Sequence, residues 1–405
     1  MEMMGIMRPV GALLLLLCLP ANARVKTGLD VLVEQHFAPL AGKRVGVITN
    51  FSAITYDRRH IIDVLASPEA KAAGVKLVAI FTPEHGLSGT AKDGATVASS
   101  KHEATGVPIF SLYQPGSYRP SPDMVKDVDA LVFDIQDVGA RFFTFYTTME
   151  YTLEAAAAAH IPYYVLDRPD PVNGVAVQGP LLDPSHFSFV GNMRIPARYG
   201  MTIGELARMY NGEKKLNADL HVVAMQGWRR AMWFDETGLE WQSPSPNMRT
   251  LTAAILYTGV CMLEGRQVSV ARGTDRPFEM VGAPWFQGRE VAEYLNSRNI
   301  PGVRFLARRF RPTEAPYKDE DCDGLDIQLV NRDELDDGRL GMELLAATLK
   351  FHPGKFNVKA DIRILGSDDA AARLMRGEDG AAVNESTQKD LAAFRKLRQP
   401  YLLYD

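Results

Sequence analysis

The chain has 405 residues, with 45 Lys and Arg against 49 Asp and Glu and a formal net charge of -4. That balance gives no large basic field for a nucleic-acid backbone, so no nucleic-acid partner is expected. Its 3 cysteines are too few for a disulfide-built scaffold.

The first 23 residues contain Arg8, an apolar run from Val10 to Leu19, and Ala21-Asn22-Ala23. This is the pattern of a cleavable export signal, since the run is about half of the ~20 residues that a membrane span requires. No later stretch is long and apolar enough to span, so the mature protein is expected in the periplasm or outside the cell. There Cys261 and Cys322 are the remaining cysteines, and an oxidising compartment would allow them to pair. Residues 24–405 exceed what one core usually organises, and two domains are predicted.

In chain order, Leu29 to Phe37 reads as a short amphipathic helix and Lys43 to Thr49 as a buried strand ending at Asn50. A helix follows at Arg59 to Ala72, then a strand at Val75 to Phe81 that runs into Thr82-Pro83-Glu84-His85-Gly86. A further strand is expected at Val107 to Leu112. Ala130 to Asp134 is a strand, followed by a polar loop, an Ala- and Leu-rich helix, and a strand ending at Asp167. This alternation predicts an α/β fold with a Rossmann-like, mainly parallel sheet over residues 24–250. The turn after Thr49 lacks the glycine-rich dinucleotide fingerprint, so no cofactor is predicted.

Thr202 and Glu205 form a possible capping box for a helix to Tyr210, and Leu220 to Met225 reads as a strand. Trp228, Trp233 and Trp241 serve equally as core or as a sugar platform. From Leu251 the pattern becomes helix (to Leu263), helix (Arg289 to Leu295), strand (Val303 to Phe310), strand (Leu325 to Leu329), helix (Gly341 to Leu349) and an irregular tail. A smaller α+β domain over 251–405 is predicted.

Parallel sheets gather ligands at the carboxyl ends of their strands. Asp134, Gln136, Asp137, Arg141, Asp167 and Arg168 are therefore expected to face one crevice. Glu84 is a candidate proton donor, with His85 tuning or positioning it. Asp134, Asp137, Asp167 and His85 together would offer ligands to a cation, but the set is short for magnesium or calcium and badly spaced for zinc; no metal is predicted. Arg141, Arg168, Arg272 and Arg276 together suit an anionic substrate, because guanidinium matches a carboxylate bidentately. Ser245 stands between prolines, without a nucleophile-elbow pattern.

Eight ordered motifs then carry a resemblance: TPEHG (82–86), FDIQDVGARFFTF (133–145), LDRPDPVNG (166–174), SFVG (188–191), YGMTIGELA (199–207), PSPNM (244–248), LEG (263–265) and RGTDRPFE (272–279). Together they resemble the bacterial DUF1343 family of NamZ-type exo-β-N-acetylmuramidases. The resemblance implies a Rossmann-like domain and an auxiliary C-terminal domain with the active site between them. It also implies removal of terminal N-acetylmuramic acid (MurNAc) from the non-reducing end of peptidoglycan fragments such as MurNAc-GlcNAc, so that MurNAc-containing muropeptides are the expected partners. Glu84 would be the catalytic glutamate, with Asp134, Asp137 or Asp167 assisting water or substrate. Substrate assistance by the 2-acetamido group is the alternative.

Asn247, Glu264, Arg272 and Arg276 would close the cleft from the far side, and Asn50, Tyr146, Asn173, Gln178, Tyr199 and Thr274 complete the expected sugar contacts. The chain departs from the family pattern at Gln178, usually glutamate, at Tyr199, usually histidine, and at Val270-Ala271, usually Glu-Gly. Gln178 keeps open a non-catalytic muropeptide-binding protein of the same fold, and Ser245 a secreted serine esterase.

Overall fold

The computed structural model describes residues 24–89, 91, 98–114 and 117–405, so the expected leader lies outside the described residues. The first part of the chain contributes strands β1 (Arg44–Thr49), β2 (Lys76–Thr82), β3 (Ser100–Lys101), β4 (Pro108–Ser111), β5 (Ala130–Asp134) and β6 (Tyr163–Leu166). A small hairpin, β7 (Gln178–Leu181) with β8 (Pro196–Arg198), precedes β9 (Leu220–Val223). Seven of these strands form one sheet in the order β3-β4-β2-β1-β5-β6-β9, parallel throughout except for β3 against β4.

Side chains alternate across this sheet, as strand geometry requires. Val45, Val47, Ile80, Ala130 and Val132 face one apolar cluster. Ile48, Phe81, Leu131 and Phe133 face the other. Both faces are covered, which is why β1 and β5 read as continuous apolar runs.

The covering helices begin with α1 (Gly28–Glu34), α2 (Ile61–Leu65), α3 (Pro68–Ala72), α4 (Pro122–Val125), α5 (Phe145–Ala159) and α6 (Ile203–Lys214). The single helix expected at Arg59 to Ala72 is two. Ser67 caps a new helix by accepting from the Ala70 amide, and Pro68 at its first position cannot donate to the preceding turn. The capping box expected for α6 is formed, Thr202 and Glu205 each accepting the other's backbone amide.

The second part comprises α7 (Leu251–Val260), β10 (Met280–Ala283), α8 (Gly288–Ser297), β11 (Val303–Phe310), β12 (Cys322–Leu329) and α9 (Asp337–Phe351). Its three strands make an antiparallel sheet in the order β10-β12-β11. The tail expected to be irregular is helical instead: α10 (Ile362–Leu365), α11 (Asp368–Met375), α12 (Gly380–Ser386) and α13 (Gln388–Arg398). Its helices are short, and Ser367 and Asp379 start two of them by accepting backbone amides, a local signal that apolar periodicity does not carry.

The two parts share a core. Phe81 and Phe133 of the parallel sheet belong to the same apolar cluster as Leu325, Ile327 and Leu340. Buried polar ties reinforce it: Arg198 pairs with Asp337 at 2.8 Å with both side chains 1% exposed, and Arg141 donates to the carbonyls of Ile364 and Leu365 at 3.0 Å. Finally the tail returns to the first sheet, where the Tyr404 hydroxyl donates to Asp167 at 2.6 Å. No helix among the described residues is long and apolar enough to cross a membrane.

Candidate active site

The loop leaving β2 turns sharply. His85 and Gly86 both take left-handed backbone, φ 70° and 71°, and the Gly86 amide closes the turn onto the Pro83 carbonyl at 3.1 Å. This lifts Glu84 off the sheet edge towards the second part of the molecule. Its carboxylate accepts a 3.0 Å hydrogen bond from the hydroxyl of Thr144, the residue immediately before α5. His85 is buried, with Nδ1 2.9 Å from the Ala91 carbonyl oxygen.

Glu84 and His85 line a cavity of about 310 Å³ whose other walls include Glu264, Arg272 and Cys261. The Glu264 carboxylate is held by the Arg272 guanidinium and by the Cys261 thiol, which donates to it at 2.9 Å. Burial alone would raise the Glu264 carboxyl, but the charge and hydrogen bond of Arg272 outweigh it and leave the group below the ordinary glutamate range. Burial and the neighbouring Glu264 push the Cys261 thiol well up, so it stays a protonated donor. Aromatic edges join the two halves behind these groups: Phe143 meets Tyr257 at 5.9 Å, and Tyr257 meets Phe278 at 4.6 Å.

The remaining expected site residues do not line this cavity. Asp134 is fully buried and paired with Arg168, whose second nitrogen reaches its carboxylate at 3.1 Å and also the Ile54 carbonyl at 3.1 Å. Asp167 accepts from the Thr202 hydroxyl at 2.7 Å, from the Gly204 amide at 2.8 Å and from Tyr404. It locks the start of α6 to the end of β6. Asp137 accepts from the Tyr199 hydroxyl and from the Gly139 amide at 2.9 Å, and burial raises it to about 6. The expected crevice is therefore filled by its own residues, and Asp134, Asp137 and Asp167 do not converge with His85.

Others are equally committed. Asn50 accepts from the Ser52 amide and hydroxyl, and Gln136 donates to the carbonyls of Asp137 and Pro169. Arg141 is fully buried and donates through one nitrogen to the α10 carbonyls, Tyr146 accepts from the Asn192 amide, and Asn173 accepts from Val175 and Ala176. Gln178 donates to the Leu335 carbonyl at 3.1 Å and accepts from the Asp337 amide at 3.2 Å, which makes it a link between β7 and α9. Asn247 bridges the Gly273 amide and Glu314, Thr274 caps its own turn at the Ala271 carbonyl, and Arg276 is bidentate with Asp326. Cys261 and Cys322 are both free, in separate apolar clusters.

Ser245 reaches the cavity wall, from a loop rather than a strand-to-helix turn. Among the described residues, the metal-ligating side chains that lie close together are Asp183, His186 and Asp368, near the surface between the small hairpin and α11. Sequence reasoning missed Thr144, Cys261, Tyr257, Phe278 and Arg266 as cavity residues. Thr144 had a signal, standing at the junction of FFTF with a helix, whereas the others carry no local mark.

A carboxyl and a separate carboxylate whose charged form is favoured by a paired arginine, on the walls of an aromatic-backed cleft, are the equipment of a glycoside hydrolase. The comparisons agree with that class. The N-terminal model of the exo-β-N-acetylmuramidase NamZ matches residues 45–252 and the C-terminal model residues 255–404. The peptidoglycan β-N-acetylmuramidase NamZ of Bacillus subtilis (strain 168) is 40% identical over 385 residues, 94% of this chain and 92% of that protein. Two solved DUF1343 proteins from Bacteroides fragilis NCTC 9343 superpose with TM-scores of 0.85 and 0.73, at 34% and 30% identity over 94% and 95% of this chain and 99% of each of theirs. The chain belongs to the NamZ family of exo-β-N-acetylmuramidases.

Proposed function

We propose that Glu84 is the general acid/base of an exo-acting β-N-acetylmuramidase that releases terminal MurNAc from the non-reducing end of peptidoglycan fragments such as MurNAc-GlcNAc. The protein is a peptidoglycan glycoside hydrolase of the NamZ type. The observation that carries the residue assignment is Glu84 itself: a carboxyl on the cavity wall, oriented by Thr144, with Glu264 held ionised on the same cavity. Glu84 protonates the departing glycosidic oxygen, and the Glu264 carboxylate offers negative charge to the oxocarbenium-like transition state. Asp134, Asp137 and Asp167 act one layer behind, fixing the sheet edge. A volume of about 310 Å³ is at the small end of ligand pockets and suits one terminal sugar better than an extended glycan.

Glu84→Gln is expected to lower kcat for MurNAc release from MurNAc-GlcNAc by roughly 10²- to 10⁴-fold. Unchanged turnover would remove Glu84 from the acid position. A non-catalytic binder of this fold loses its main support, because Gln178 opens β7 and ties it to the start of α9 instead of lining the cavity.

The same proposal places the protein in the periplasm or outside the cell, where peptidoglycan is found. The leader pattern in the first residues supports it. Mass spectrometry of the exported chain is expected to find Arg24 as the first residue; a retained leader would argue against cleavage there.

A further inference from the structure

Peptidoglycan's muramic sugar differs from its glucosamine partner by one group, a lactyl ether that ends in a carboxylate. An enzyme selective for that sugar needs a cation it has not already spent. Of the arginines that the sequence offers for this task, Arg168 and Arg276 are paired with carboxylates of the protein itself, and Arg141 is fully buried off the cavity lining with its contacts to carbonyls. Arg272 lies on the cavity but is neutralised by Glu264.

Arg266 is different. It lies on the cavity lining, it is exposed, and its side chain makes no hydrogen bond or ion pair with any of the described residues. A third acidic group on the same lining, Asp361, is engaged by Arg363 at 3.3 Å. Meanwhile the backbone that carries Arg266 is fixed on both sides. The Glu264 amide donates to the Cys261 carbonyl at 2.9 Å, and Glu264 itself is tied to Arg272. On the other side, the Gln267 carbonyl accepts from the Tyr317 hydroxyl at 3.0 Å and the Gln267 side chain accepts from the Asn357 amide at 2.8 Å. A loop anchored at both ends thus presents one uncommitted guanidinium at the cavity. That is the arrangement expected of a group reserved for a ligand, because ordering the loop has already been achieved in folding.

We propose that Arg266 is the specificity-determining residue of the cavity, pairing with the lactyl carboxylate of the terminal MurNAc. The inference rests on the muramidase reading above. It makes selectivity for MurNAc a matter of charge recognition by the second part of the molecule, while the proton donor comes from the first. A charge-assisted, bidentate pair at the cavity wall is worth about 10- to 100-fold in discrimination.

The test compares 4-nitrophenyl β-MurNAc with its lactyl methyl ester, which keeps the shape and removes the charge. The wild-type protein is expected to favour the free acid in kcat/KM by about 10- to 100-fold. Arg266→Ala should collapse that ratio towards unity, chiefly through KM, and Arg266→Lys should restore part of it. Because the side chain is exposed and unpaired with the described residues, thermal unfolding of both variants should match wild type. If wild type releases MurNAc but does not distinguish the ester, or if Arg266→Ala keeps the full ratio, Arg266 is not the carboxylate reader and the muramidase reading stands. If neither substrate is cleaved by wild type, the muramidase reading itself fails.

Discussion

Two regions of this molecule hold the same kinds of side chain and do different things with them. At the carboxyl ends of β1, β5 and β6, the place where an open parallel sheet usually opens a ligand crevice, every carboxylate faces inwards to a fixed partner. Asp134 has Arg168, Asp167 has Thr202, Gly204 and Tyr404, and Asp137 has Tyr199 and Gly139. The cavity left there, lined in part by Gln136 and Arg168, is about 40 Å³. One strand over, beyond β2, Glu84 looks into about 310 Å³ bounded by the second part of the chain. A buried ionisable group held by fixed partners and facing no opening belongs to the architecture. One that borders an opening, with a partner on one side, is available for chemistry.

The largest expected contrast tests that distinction directly. Glu84→Gln should remove most turnover while leaving unfolding by urea nearly unchanged. Asp134→Asn should do the reverse, because it leaves the Arg168 guanidinium buried beside a neutral amide. Breaking such a pair costs about 3 kcal/mol or more, whereas activity per folded molecule is expected to persist. Loss of turnover in Asp134→Asn with normal stability would return Asp134 to the catalytic set.

A smaller effect lies on α5, the helix that begins beside Thr144. Glu150 is fully buried, and burial raises its carboxyl to about 8 despite a 3.0 Å hydrogen bond from Asn192. Its folded value lies above the unfolded one, so between roughly pH 4.5 and 8 the native state holds a proton that the unfolded chain has released. Stability from this group is present at low pH and is lost as pH rises through that window. Glu150→Gln should flatten the fall and exceed wild type by about 4 kcal/mol at pH 8, with the gap closing towards pH 5. Parallel urea-denaturation curves for the two proteins across that range would contradict the shift.

Much of the fold could be read along the chain. The strands over 44–134 announced themselves as continuous apolar runs because both faces of a parallel sheet are covered, and the Thr202/Glu205 box marked a helix start that the structure contains. The motif TPEHG singled out Glu84, since a proline and a glycine around a strand end force the intervening side chains off the sheet. The splitting of the helix at Ser67-Pro68 and the helical tail escaped apolar periodicity, because caps and short turns decide them.

The site was only half legible. From the residues alone, Arg141 and Arg266 look alike, as do Asp134 and Glu264. What separates them is whether another part of the chain arrives to satisfy them. Arg141 is taken by carbonyls more than two hundred residues away, Asp134 by Arg168, and Gln178 by the start of α9, while Arg266 is left facing the cavity. The sequence by itself determined the alternation of strands and helices, the loop that carries Glu84 and the family to which the chain belongs. Only tertiary structure decided which charges are spent on folding and which remain for a substrate, because desolvation and pairing are set by neighbours that the linear order does not bring together.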